Sequence, residues 1–225
     1  MLYDFISCTP EEEKKFEEFY RMLCDYNKKV NLTAITERSE FFIKHICDSL
    51  AGAGYFPNGA EVAEVGSGGG FPSVPLKIAR DDLSFTQFES VGKKCAFLSL
   101  AAQELGLSRM SVINMRAEDA GRDVNYREKF DACCARAVAR LNTLLEYCAP
   151  LVKTGGRVIA YKGDAEEEIA EAKHAAAVLG LELEHVKTYR LPQDMGARTL
   201  AVYKKIRPTP QRFPRGQGKE RKNPL

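Results

Sequence analysis

Ala63-Glu64-Val65-Gly66-Ser67-Gly68-Gly69-Gly70-Phe71-Pro72 decides how this chain folds. The apolar run Val62–Val65 stops at a glycine cluster, and a helical pattern begins near Ser73. Glycine has no Cβ and tolerates positive φ, so such a loop turns sharply and lets a ligand touch the backbone. Between a parallel strand and a helix N-terminus, it reads as the site of a nucleotide-like cofactor.

The residues inside the loop narrow the ligand. A dinucleotide fingerprint has glycines at first, third and sixth positions, the last allowing close helix–strand approach. Counted from Gly66, that sixth position is Phe71, and no Walker lysine follows. Glu64, two residues before Gly66, suits a ligand carrying an ammonium or sulfonium group and would repel a pyrophosphate. Gly66, Gly68 and Gly70 with Glu64 therefore point to S-adenosyl-L-methionine.

Working outward, strands are expected at Glu61–Val65, Ser84–Phe88, Ser111–Asn114, Phe130–Ala135 and Arg157–Tyr161. Helices are expected at about Val74–Arg80, Gly92–Leu105, Leu141–Leu151 and Asp164–Leu179, the last ending on Gly180. The polar stretch Ala117–Arg127 holds at most a short helical turn. This alternation means a mostly parallel sheet with helices on both faces. Leu181–Arg190 and Thr199–Ile206 then follow with no helix between them, so they form an antiparallel hairpin at one edge. The expected class is α/β, a Rossmann-like methyltransferase with a seven-stranded sheet and N-terminal helices. Glu89, at the end of the second strand, is placed to accept from ribose hydroxyls, and Ala117-Glu118 lies where an adenine would rest. Arg136 falls beside the same crevice.

Before the sheet, Thr9-Pro10-Glu11-Glu12 is a capping box, and Phe16, Phe19, Tyr20 and Leu23 form one helix face that ends near Asn27. A second helix is expected from about Glu37 to Leu50, with His45 and Asp48 one turn apart as a packing or surface pair. The expected division is 1–57 N-terminal helices, 58–206 cofactor-binding domain and 207–225 basic tail. Beyond Arg207 the Pro/Gly/basic composition predicts no independent fold.

Composition excludes much else. At 225 residues, 44% hydrophobic and 28% charged, the chain is of ordinary globular make-up. No run approaches the ~20 apolar residues of a membrane helix. Met1–Phe5 lacks a signal-peptide pattern, so a cytoplasmic, membrane-free protein is expected. The seven cysteines contain no C-x-x-C, and the three histidines do not join them at ligand spacing, so neither disulfides nor a metal are expected. From Lys204 onward eight basic residues face one acid; that +7, in a chain of net +2, leaves −5 for the rest. A basic tail on an acidic body suits a polyanionic partner.

The order of these landmarks resembles the bacterial ribosomal RNA small subunit methyltransferase G family (formerly glucose-inhibited division protein B). The likeness rests on Asn27–Ile35, His45-Ile46-Cys47-Asp48-Ser49-Leu50, Val65–Pro75, Glu89–Lys94 with Phe97-Leu98, Arg116-Ala117-Glu118, Ala135–Ala139, Arg198, Pro214-Arg215, Gly218 and Lys222-Asn223-Pro224-Leu225. The resemblance implies N7-methylation of guanine 527 in the 530 loop of 16S rRNA, with S-adenosylmethionine as donor and 16S rRNA or the 30S subunit as partner. It carries cofactor contacts to Gly66, Phe71, Ala117, Glu118 and Arg136; a monomer is expected. Glu89 stands for the family's commoner Asp, Ala135 for its usual Ser, and Gln217 and Glu220 for frequent prolines. Asn31, Lys162, Arg198, Arg215 and Lys222 are candidate RNA contacts. Guanine N7 already presents a lone pair, so no general base is nominated and proximity suffices. The alternatives are a methyltransferase acting on another RNA site or a non-RNA substrate, an NAD-dependent oxidoreductase, and a non-catalytic RNA-binding factor.

Overall fold

The computed structural model describes residues 8–225. The signal-peptide reading of Met1–Phe5 lies outside them. The chain opens with α1 (Pro10–Asn27), started by the expected capping box: Thr9 Oγ1 accepts from Glu12 N, and Thr9 N donates to the Glu12 carboxylate. Its stripe of Phe16, Phe19 and Leu23 is fully buried against Phe71, Phe97 and Leu98, each such side chain contributing about 1.5–3 kcal/mol. The second expected helix is present but not uniform. It runs as α2 (Arg38–Phe41), a π-helical turn Phe42–Cys47, and α3 (Asp48–Leu50). π-turns are rare and cluster at functional sites; this one holds His45.

Next come β1 (Glu61–Val65), α4 (Ser73–Ala79), β2 (Ser84–Glu89), α5 (Gly92–Glu104), β3 (Met110–Asn114) and α6 (Ala117–Ala120). They are followed by β4 (Phe130–Arg136), α7 (Leu141–Cys148), β5 (Val152–Lys162), α8 (Glu166–Glu171) and α9 (Lys173–Leu179). The chain closes with β6 (Leu181–Arg190), β7 (Ala197–Lys205) and α10 (Lys219–Lys222). Asp164–Leu179, read as one helix, is two, broken at Ala172 (φ −76°, ψ −4°). Gly180 ends α9 in the left-handed conformation, as a C′ glycine does.

The seven strands form one sheet in the order β3-β2-β1-β4-β5-β7-β6. Every pairing is parallel except those of β7, which runs antiparallel to β5 and to β6. The expected edge hairpin is therefore there, with its second strand inserted between β5 and β6. Strand order reverses between β1 and β4, the switch point at which open α/β sheets bind ligands.

The C-terminal stretch differs most from expectation. It has no sheet and only the single turn α10, yet it is strapped along the domain rather than trailing from it. Phe213 is buried in the main core beside α7 residues. Arg127 donates to the carbonyls of Gly121 (2.7 Å), Thr209 (2.7 Å) and Phe213 (2.8 Å). Arg215 grips buried Glu146 through Nε (2.9 Å) and Nη2 (2.7 Å), and Thr143 Oγ1 donates to Glu220 O (2.9 Å).

Candidate active site

Three glycines of the loop do three jobs. Gly66 follows β1 at φ +67°, and a Cβ there would meet Val138 Cγ2 at 2.7 Å. Gly68 (φ +54°) faces open space, a Cβ there finding only Gly66 O at 3.8 Å. Gly70 (φ +89°) lies under α4, where a Cβ would strike Val74 Cγ2 at 2.7 Å. Only Gly68 leaves room for something that is not protein.

Glu64 needs correcting. It does not face a ligand: it is fully buried beneath the loop, Oε1 accepting from Ser73 N (3.0 Å) and Oε2 from Ser73 Oγ (2.6 Å) and Gln87 Nε2 (3.2 Å). Burial pushes its pKa up, against the pull of these donors. Its carboxyl clamps the start of α4 to β1 and β2, and so fixes the loop's path. Phe71 is likewise turned inward, within the aromatic cluster of Phe19 and Phe41.

Above the loop lies a crevice of about 790 Å³, lined by Gly66, Phe88, Ser90, Met115, Ala117 and Glu118 among others. Glu89, between the lining residues Phe88 and Ser90, is only 6% exposed, with Oε2 accepting from Gly68 N and Oε1 from Val91 N, both at 2.9 Å. Each carboxylate oxygen has a second lone pair, so the group retains acceptor capacity. Gln217, Gly218 and Arg221 of the C-terminal strap, which composition marked only as an RNA arm, also line the crevice.

A second pocket of about 320 Å³ lies on the other side of the segment following β4. Val138 lines the first cavity and Ala137 the second. Ala137 lies at φ +57°, strained for a residue with a Cβ, and such strain gathers at functional sites. Arg136 anchors this segment: Nη1 donates to Asp48 Oδ2 (2.9 Å) and Lys44 O (3.0 Å), and Nη2 to His45 Nδ1 (2.7 Å). Its guanidinium lies 4.9 Å above the Phe71 ring, which stacks on His45 at 4.2 Å. Arginine only donates, so Nδ1 accepts and the proton belongs on Nε2, directed at Thr33 Oγ1 (2.9 Å). Burial, then the Arg136 cation, lowers the His45 pKa from 6.5 to about 3. Asp48 also accepts from Tyr189 OH (2.7 Å), with Arg198 Nε 3.7 Å away. The His45–Asp48 pair is thus a buried one joined through Arg136.

The predicted residues fall into groups. Gly66, Ala117 and Glu118 line the crevice, whereas Gly68 and Glu89, bonded to each other, are not among its lining residues. Arg136, Lys162 and Arg198 meet in the second pocket. Lys162 is engaged there with Glu168 (2.7 Å) and Ala139 O (2.9 Å), tying β5 to the segment after β4. Asn31 is exposed in the loop beside Gly69, and Lys222 is exposed on α10. Arg215, bound to Glu146, has a structural partner in place of a phosphate. Sequence reasoning missed Met115, Tyr147 and the strap's Gln217, Gly218 and Arg221 as lining of the crevice, and read Ala137 and Val138 only as part of a matching stretch; the signal available for the strap was Phe213, a large apolar side chain in a basic tail. Among the described residues no acid, His or Cys cluster could hold a metal, and no helix is long and apolar enough to cross a membrane.

Comparison with known proteins agrees with this architecture. The profile of the rRNA small subunit methyltransferase G family matches residues 12–195. A Lactobacillus johnsonii protein named ribosomal RNA small subunit methyltransferase G is 45% identical over 220 residues, 96% of this chain and 92% of that one. One of the same name from Brevibacillus brevis is 44% identical over 98% of this chain and 94% of its own length. Among solved structures, the B. subtilis m1A22 tRNA methyltransferase TrmK aligns with a TM-score of 0.57 at 16% identity, over 72% of this chain and 66% of that chain. M. jannaschii TYW2, solved with AdoMet, aligns at 0.55 and 16% identity, over 72% and 76%. At such identities the likeness is one of fold, that of Rossmann-like methyltransferases.

Proposed function

This chain belongs to the rRNA small subunit methyltransferase G family, and from that premise we propose that it methylates N7 of one guanine, position 527 in the 530 loop of 16S rRNA, using S-adenosylmethionine. Family membership over nearly the whole chain is the observation that carries the reading. The crevice supports the donor. Gly66, Ala117 and Glu118 line it, the neighbouring Gly68 leaves open space where a side chain would stand, and the Glu89 carboxylate, bonded to Gly68 N, keeps lone pairs for ribose hydroxyls. Bound there, S-adenosylmethionine supplies an electrophilic sulfonium methyl.

The protein's own part is placement. The segment Arg136–Ala139 separates the crevice from the second pocket, which is wide and basic enough to receive one base taken out of its stack. Arg198, whose Nε lies 3.7 Å from Asp48, is the cation there for O6 or a neighbouring phosphate, Lys44 being paired with Glu40 (2.6 Å). Guanine N7 presents its lone pair without losing a proton, so this chain's residues would have to place the base and would have no proton to hold or move. His45, its folded pKa lowered to about 3 and therefore neutral at neutral pH, serves as a fixed spacer holding Arg136. The rate enhancement then comes from in-line alignment.

Mass spectrometry of nucleosides from 16S rRNA tests this. Deleting the gene removes one 7-methylguanosine, and the purified protein restores it on the unmodified rRNA or 30S subunit; an unchanged 7-methylguanosine level refutes the assignment.

A further inference from the structure

Most polar groups lining the second pocket are committed to one another. Both Asp48 oxygens are taken, Oδ2 by Arg136 Nη1 (2.9 Å) and Oδ1 by Tyr189 OH (2.7 Å). Both His45 nitrogens are bonded, one to Arg136 and the other to Thr33. Lys162 and Glu168 differ. They lie 2.7 Å apart, with side chains only 12% and 22% exposed. Glu168 Oε2 also accepts from Leu141 N (2.8 Å), and Lys162 Nζ donates to Ala139 O (2.9 Å). An ammonium has three donors and a carboxylate two accepting oxygens. One Lys162 proton and the whole of Glu168 Oε1 therefore remain. Among the described residues, Oε1 is the one carboxylate oxygen of this pocket that no donor meets.

A free acceptor beside a free donor is a pattern, and purines answer it differently. The Watson–Crick edge of guanine carries the acceptor O6 next to the donors N1–H and the 2-amino group. Adenine carries the reverse, a 6-amino donor next to the acceptor N1. With Lys162 facing O6 and Glu168 Oε1 facing N1–H, guanine is satisfied. Adenine would set donor against donor and acceptor against acceptor, and enzymes that extrude a base read it on this edge. O6 also neighbours N7 on the purine. A lysine that holds O6 while bonded to Ala139 O keeps N7 close to the segment Arg136–Ala139, which divides this pocket from the crevice.

Resting on the reading of this pocket as the seat of the target base, we propose that Glu168 selects guanine by accepting from its N1–H, beside Lys162, which leaves Arg198 for a phosphate. A hydrogen bond to a charged group is worth about thirtyfold in rate.

Glu168→Gln tests this, because the fold orients the new amide. Leu141 N and Lys162 both need an acceptor at the Oε2 position, so the amide oxygen stays there and the NH2 group replaces Oε1. The base then meets a donor, which suits adenine N1 and opposes guanine N1–H. Methyl transfer from labelled S-adenosylmethionine to unmodified 16S rRNA, free or in the 30S subunit, gives kcat/KM. The same RNA with adenine at the target position, used as a competitive inhibitor, gives Ki. The variant should lose about thirtyfold in kcat/KM on guanine, while Ki for the adenine RNA stays within about twofold or tightens and donor affinity by calorimetry is unchanged. An unchanged kcat/KM overturns the proposal. So does equal weakening toward both RNAs, or a loss of donor affinity, since a displaced α8 would produce either. No transfer to guanine by the wild type would overturn this role and the proposed function together, whereas the other failures leave the methyltransferase reading intact.

Discussion

Gly68 and Gly70 are two residues apart, both left-handed, and should respond oppositely to a side chain. At Gly68 a Cβ meets nothing closer than 3.8 Å. Asparagine tolerates this region better than most residues, so Gly68→Asn costs about 1 kcal/mol of backbone energy or less. Restricting the unfolded chain returns roughly 0.4–1 kcal/mol, for a net near zero. At Gly70 a Cβ lies 2.7 Å from Val74 Cγ2 and 3.3 Å from Leu98 Cδ2. Gly70→Ala therefore adds about 1–3 kcal/mol of overpacking to about 1–2 kcal/mol of left-handed strain. In a domain of this size such a loss lowers Tm by roughly 10 °C. Thermal unfolding read with S-adenosylmethionine calorimetry separates the two. Gly68→Asn should keep Tm within about 3 °C and lose donor binding about a hundredfold, its side chain filling ligand space; Gly70→Ala should be thermally weakened. Equal Tm losses, or tight donor binding by Gly68→Asn, would show the loop's open and packed positions to be wrongly assigned.

Arg136→Met should cost about 2–4 kcal/mol in urea unfolding, because Asp48 keeps Tyr189 and Arg198 but loses its closest cation; a loss under ~0.5 kcal/mol would contradict the buried network. His45 makes stability pH-dependent. Its folded pKa, about 3, is below the ordinary 6.5, so its contribution is complete above pH 6.5 and is lost as pH falls toward 3. From pH 6.5 to 5, before most carboxylates titrate, unfolding free energy should fall by up to about 1.4 kcal/mol per unit, and His45→Gln should flatten that slope; a slope retained in the variant assigns it to another group. Glu64→Ala should destabilise by about 2–4 kcal/mol through lost acceptors for Ser73 and Gln87 and a buried void, measured by chemical denaturation; an effect below ~1 kcal/mol would mean the clamp is idle.

What the sequence made legible was whatever depends on local pattern. β1 and β6 fall on their expected bounds, and α1 begins at its capping box, because periodicity and cap chemistry act over a few residues. Orientation was less legible. Glu64 in an apolar run read as a ligand's counter-charge, but β1 is flanked by β2 and β4 and covered on both faces, so its acid had to find donors inside. The tail misled for a related reason. Its composition is that of a solvated arm, while its course is set by Arg127 and Glu146, more than 60 residues upstream, which no local signal names. Within the second helix, the π-turn answers to Arg136 and Thr33 holding His45 rather than to any propensity of Phe42–Cys47.

The Asp48 carboxylate has a further consequence, in the time course of folding. The bond from Gly68 to Glu89 spans 21 residues, whereas Asp48 reaches Arg136 across 88 and Tyr189 across 141. Closing a long loop costs more entropy before any contact rewards it, and non-local topology slows folding. The glycine loop and β1–β2 can therefore assemble early, while the second pocket waits until the reversed hairpin docks on the N-terminal helices. A chain caught midway would have the glycine loop formed and the second pocket still open, so the two cavities should differ in when they form.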